Sequence, residues 1–159
     1  MKLTQLLIGM LIFAVSNNCF ANQKTIIVDL KNFSIKAYDA SGEEVLSEKA
    51  SGGRKYCPDI EKSCKTPSGT FYLLSKKGPW YRSPTYPLGC NNKSKDNKCA
   101  KMAWAMKFSN TGEAFHASND NWEKPKHISH GCVHLKQETA KWLNQQFIDK
   151  TTKIIILPY

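Results

Sequence analysis

Ser129-His130-Gly131-Cys132-Val133-His134-Leu135 sets a cysteine between two histidines and directly behind a glycine. A cysteine attacks as its thiolate, and an imidazolium or a set of backbone N–H groups lowers its pKa from the free value near ~8.5. Gly131 lets the backbone take a positive φ or come close to a substrate. Upstream, His116 ends the short apolar run Ala114-Phe115, so it is a candidate general base on a neighbouring strand.

The rest of the chain places this motif in an exported protein. Residues 1–21 read as a secretory leader: Lys2 is the only charge, Leu6 to Val15 is apolar, and Cys19-Phe20-Ala21 puts small residues at both cleavage positions. That apolar run is far short of the roughly 20 residues a permanent membrane helix needs. Ser16-Asn17-Asn18 also lacks the small apolar residues expected before a lipidated cysteine. The expectation is a soluble periplasmic chain, residues 22–159, of a size that forms one domain with its own core.

The 159 residues carry 23 Lys and Arg against 13 Asp and Glu, a formal charge of +10. The basic residues are scattered, and clusters such as Lys93-Ser94-Lys95 and Lys124-Pro125-Lys126 lack the interleaved aromatics of a nucleic-acid groove. With an export leader, the natural counterpart is an acidic polymer or a membrane surface, not nucleic acid.

Of six cysteines, Cys19 leaves with the leader, and Cys57, Cys64, Cys90, Cys99 and Cys132 remain. Four form two local pairs in loops rich in Gly, Pro, Asn and Lys, and an oxidising compartment favours disulfides there. Pairs Cys57–Cys64 and Cys90–Cys99 are expected, although four cysteines allow three connectivities. Such short loops contribute roughly 2.5 kcal/mol each in the chain-entropy model. Cys132 is left unpaired, which agrees with a chemical use.

Patterning predicts a mainly β domain. Lys24 to Leu30 and Phe33 to Tyr38 read as a hairpin about a two-residue turn at Lys31-Asn32. Glu44 to Lys49, Thr70 to Ser75, Met102 to Phe108, Gly112 to His116 and Lys153 to Leu157 are further strands. Residues 76–101 form a long loop, functional or pinned. Ala140, Leu143, Phe147 and Ile148 fall at helical spacing within a helix expected over Lys136 to Ile148, and the stretch about Cys132 is expected to be a turn.

Thr66-Pro67-Ser68-Gly69-Thr70-Phe71, then Met102-Ala103-Trp104-Ala105-Met106, then Gly112 to His116, then Ser129-His130-Gly131-Cys132-Val133 resembles the L,D-transpeptidase catalytic domain, or YkuD-like, family. The likeness spans residues 24 to 158. It implies a β-sandwich-like core with one helix after the cysteine, no cofactor and no metal, and action on peptidoglycan stem peptides, with a lipoprotein as one conceivable acceptor. It also implies that Cys132 is the nucleophile and His116 the base, oriented by the carbonyl of Ala117. His130, with the N–H groups of Gly131 and Cys132, would hold the thiolate or oxyanion, while Ser129 fixes the loop. His134 stands where the family commonly has Arg or Asn, and bears on substrate preference. Sensitivity to carbapenems follows from the same resemblance.

Other readings carry different expectations. Water as acceptor would make the protein an L,D-carboxypeptidase by the same thioacyl intermediate. A catalytically silent domain binding peptidoglycan or a host surface would keep the fold alone. A zinc site built from His116, His130, Cys132 and His134 would need these side chains to converge.

Overall fold

The computed structural model describes residues 22–84, 86–91 and 98–159. The expected leader and the Lys93–Lys95 cluster lie outside them. Nine strands, β1 (Thr25–Asp29), β2 (Ser34–Tyr38), β3 (Glu44–Ser51), β4 (Gly69–Tyr72), β5 (Ser75–Lys76), β6 (Met106–Lys107), β7 (Ala114–Ala117), β8 (Val133–Leu135) and β9 (Lys153–Ile156), accompany one helix, α1 (Gln137–Trp142). The helix runs on into a π-helical turn, Leu143–Phe147.

The strand order is β4-β9-β1-β2-β3-β8-β7-β6-β5. β4 and β5 therefore occupy opposite ends of the order, yet only Leu73 and Leu74 separate them in the chain. The sheet has to fold back on itself, and β3 is where it does so. Its first residues pair with β2, while Ala50 and Ser51 pair with β8. Two layers result, as the sandwich expectation required. Ile26, Val28, Ile35, Ile154 and Ile156 of one ladder and Met106, Phe115, Val133 and Leu135 of the other belong to a single buried core. Phe108 joins the layers, its ring 5.3 Å from Phe71 and 5.0 Å from Phe115.

Local differences from the sequence reading have identifiable causes. The β1–β2 connection takes four residues, because the Asp29 carboxylate accepts from Asn32 N and Nδ2 and Phe33 adopts φ +51°. This is the side-chain-stapled turn that Asp favours. The strand expected over 102–108 shortens to β6 because Trp104 turns the chain at φ +59°. The strand expected over 70–75 splits at Leu73-Leu74, since β4 pairs with β9 and β5 with β6. The turn expected around Cys132 is confined to Gly131, at φ +113°, after which β8 runs extended between β3 and β7. The helix widens at its end: Ile148 N donates to Leu143 O at 2.8 Å, the i to i+5 bond of a π turn.

Both expected disulfides are present, Cys57–Cys64 and Cys90–Cys99, and Cys132 is a free thiol. The second pins the long loop, as does Arg82 Nη1 donating to Cys99 O at 2.6 Å. No described helix is long and apolar enough to cross a membrane.

The motif is held from below by residues 52–54. Ser129 N donates to Gly52 O at 3.3 Å and Arg54 N to Ser129 O at 3.0 Å. Tyr159 Oη donates to Gly53 O and accepts from Thr66 N, each at 2.9 Å. A Cβ on Gly53 would lie 1.7 Å from Cys64 O and 2.9 Å from Gly131 Cα, both backbone atoms. Gly53→Ala is therefore expected to cost about 3 kcal/mol or more in urea unfolding, as overpacking against backbone does.

Candidate active site

β7 and β8 run parallel with Phe115 opposite Val133, His116 opposite His134 and Ala117 opposite Leu135. Side chains alternate across a strand. Phe115, Ala117, Val133 and Leu135 enter the core, so His116 and His134 share the other face. Cys132, one residue before β8, continues that alternation and stands on the same face. The small Ala114 lies opposite it, and its backbone N–H donates toward the Cys132 sulfur.

His116 is buried, with Nδ1 2.9 Å from the carbonyl of Ala117. A carbonyl only accepts, so the proton is on Nδ1 and Nε2 carries the lone pair. Burial, reinforced by the charge of His134, holds the imidazole down at about 4 despite the Ala117 carbonyl and Asp120. Burial also pushes the Cys132 thiol up to about 11, helped by the charge of Glu113 and opposed by the Ala114 N–H. The resting pair at neutral pH is thus thiol and neutral imidazole. This differs from the lowered thiol pKa that the sequence suggested, because the cysteine is desolvated and the His116 imidazole is neutral at neutral pH.

His130, expected to help hold the thiolate or oxyanion, has its Nε2 engaged elsewhere. Its Nε2 is 2.8 Å and 2.9 Å from the two carboxylate oxygens of Asp59, and its ring lies 4.2 Å from that of Tyr86. The residue instead ties the motif to the loop closed by Cys57–Cys64. Gly131 N–H is likewise taken, donating to Ser129 Oγ at 3.2 Å, while Ser129 Oγ donates to Cys132 O at 2.6 Å. Of the expected oxyanion donors, Cys132 N–H is the one without such a partner here. Of the four residues considered for zinc, His116, Cys132 and His134 share a face, but among the described residues no group with metal-ligand spacing includes them, and His116, His130 and His134 each have a different protein partner. Cys57, Cys64 and His130 come within 4.8 Å of one another, but both sulfurs are in a disulfide.

Asp120 is the residue that sequence reading missed. It lies in an irregular loop, and its partners come from three separate segments. His134 Nδ1 is 2.9 Å from Oδ2, Ser51 Oγ donates to Oδ2 at 2.7 Å, and Ser118 Oγ donates to Oδ1. Burial alone would raise this carboxyl, but the hydrogen bonds from His134, Ser118 and Ser51 outweigh it and hold it near about 2. The His134 ring in turn meets the His116 ring edge-on at 4.7 Å between centroids. A chain of contacts runs from Ser51 through Asp120 and His134 to the candidate base.

The family model of the L,D-transpeptidase catalytic domain, YkuD, matches residues 23–156. The chain belongs to this family. A curated relative named for the family, YciB of Bacillus subtilis (strain 168), is 27% identical over 146 residues, covering 84% of this chain and 66% of its own. The L,D-transpeptidase from Mycobacterium smegmatis superposes with a TM-score of 0.65 at 21% identity, over 86% of this chain and 59% of that one. L,D-transpeptidase 3 from Mycobacterium tuberculosis, solved with a faropenem-derived adduct, gives 0.65 at 19% identity, over 85% and 60%. This L,D-transpeptidase domain thus spans about three fifths to two thirds of the length of the relatives it matches, and its likeness to the solved structures is one of fold.

Within this L,D-transpeptidase domain, Asp120 supplies the carboxylate partner of His134. Asp120→Asn is expected to lose about 2 kcal/mol of stability at pH 7. A depressed carboxylate contributes above its unfolded pKa of 3.8 and loses that contribution as pH falls toward about 2. Urea unfolding of the variant should accordingly show a shallower decline than wild type between those pH values.

Proposed function

We propose that this protein is an exported cysteine L,D-transpeptidase that acts on the tetrapeptide stems of peptidoglycan through a thioacyl-enzyme. One observation carries the reading. The parallel register of β7 and β8 puts Cys132 and His116 on one face, and the Ala117 carbonyl fixes the tautomer that leaves Nε2 of His116 free as a base.

The chemistry follows from that arrangement. The Cys132 thiol attacks the carbonyl between the third stem residue and the terminal D-alanine, and its proton passes to His116 Nε2. The developing oxyanion takes the Cys132 N–H, a contact of the kind worth about 3 kcal/mol in the transition state. His116 returns the proton to the leaving amine as D-alanine departs. The thioester then passes to an acceptor amine, on a neighbouring stem or a lipoprotein, restoring the thiol. A neutral resting pair suits this sequence, since the proton moves with the attack and no buried charge pair has to be maintained beforehand.

The basic surface fits a polymer rich in carboxylates, and the apolar leader fits work outside the cytoplasm. Incubation with a purified disaccharide tetrapeptide tests the reading. Release of D-alanine together with a cross-linked dimer supports it, monomeric tripeptide alone indicates an L,D-carboxypeptidase, and unchanged substrate indicates a silent binding domain.

A further inference from the structure

Glu113 directly precedes β7, and its two carboxylate oxygens have different surroundings. Oε2 accepts from Ser109 Oγ and Thr111 Oγ1 and so staples the turn between β6 and β7. Oε1 faces the cysteine loop: a Cβ on Gly131 would stand 3.5 Å from it and 3.1 Å from Glu113 Cγ. A side chain at 131 would crowd Glu113 Cγ and be strained at φ +113°. The carboxylate is close enough for its charge to act on the Cys132 thiol. It is ionised, since the Ser109 and Thr111 hydroxyls and the nearby Lys107 outweigh its partial burial.

An anion beside the nucleophile disfavours the thiolate, so the first half of the reaction gains nothing from Glu113. The second half differs, because an acyl acceptor amine arrives from water as an ammonium ion. We propose that Glu113 forms the acceptor subsite, with Oε1 beside Gly131 binding the ammonium group of the incoming acceptor next to the thioester on Cys132. This rests on the transpeptidase reading above and deepens it, since a bound cation gives an amine the advantage over water. The bound ammonium releases one proton to solvent. Its nitrogen then attacks the thioester carbonyl, the C–N bond forms and the C–S bond breaks. The second amine proton passes through His116 Nε2 to the leaving sulfur, which regenerates the thiol.

The test uses the tetrapeptide donor with a varied stem tripeptide that carries a free side-chain amine. Glu113→Gln keeps an acceptor oxygen for Ser109 and Thr111 while removing the charge, so a purely structural role would leave the acceptor KM where it was. The expected result is acyl-enzyme formation at the wild-type rate or faster, read by intact mass, with the acceptor KM raised about tenfold, the scale of one lost hydrogen bond to a charged group. Products should shift from dimer toward hydrolysed tripeptide. Added salt should raise the acceptor KM of wild type but not of the variant, and Glu113→Asp should recover part of the difference. An unchanged acceptor KM and salt response, with acylation intact, would overturn the inference alone. A wild-type protein that never acylates would overturn the transpeptidase reading and this inference with it.

Discussion

Cys132→Ala is expected to abolish acyl transfer, with a loss of about 10⁴-fold or more in the rate of D-alanine release, because no other group can form the thioester. The fold should survive. Cys132 is not part of the apolar core, it forms no disulfide, and the backbone about it is set by Gly131 and by Ser129 bridging to Cys132 O. Removing one sulfur from such a place costs about 1 kcal/mol. Thermal unfolding beside the activity assay separates the two effects: a variant with wild-type stability and no turnover identifies the nucleophile, and one that turns over substrate removes it from that role.

His116→Gln should lose about 10²- to 10⁴-fold, the range that general acid–base groups contribute. Glutamine can still donate to the Ala117 carbonyl but cannot accept the thiol proton. The wild-type pH dependence carries the more specific expectation. With the imidazole held down at about 4, the base is neutral and competent above that value and is lost as pH falls through it. With the thiol pushed up to about 11, the proton stays on sulfur through neutral pH. Acylation should then be flat across the neutral range, and thiolate ultraviolet absorbance should be absent at pH 7 and emerge only in strong alkali. A thiolate signal already present at pH 7 would show a preformed ion pair and contradict this account of the resting state.

The parts of the fold that were legible in the sequence are those with strong local patterning. The hairpin of β1 and β2, the buried stripe Ala140, Leu143, Phe147 and Ile148, and the closing strand β9 each announce themselves by apolar periodicity. The disulfides were legible because their partners are close in sequence. What sequence concealed depends on pairing at long range. β8 is three residues long and is a strand only because β3 and β7 flank it, so a local reading saw glycine followed by a helix and inferred a turn.

The candidate site divides in the same way. Cys132 and His116 stand out by their chemistry and setting. The partners of the histidines do not, because Asp59 reaches His130 from the Cys57–Cys64 loop and Asp120 reaches His134 from an irregular segment. Nothing local marks either aspartate. His127 accepts from Gly52 N at 3.0 Å and stacks on Phe33, so it braces the 52–54 segment that supports the motif.

Cys132 is expected to form a covalent acyl-enzyme, and intact mass measures it directly. The protein and its Cys132→Ala variant would each be incubated with a carbapenem and, separately, with the disaccharide tetrapeptide. Wild type should gain an adduct with both reagents and the variant none. A folded wild-type protein with Cys132 free that gains no mass, or a variant that gains as much as wild type, would contradict this expectation.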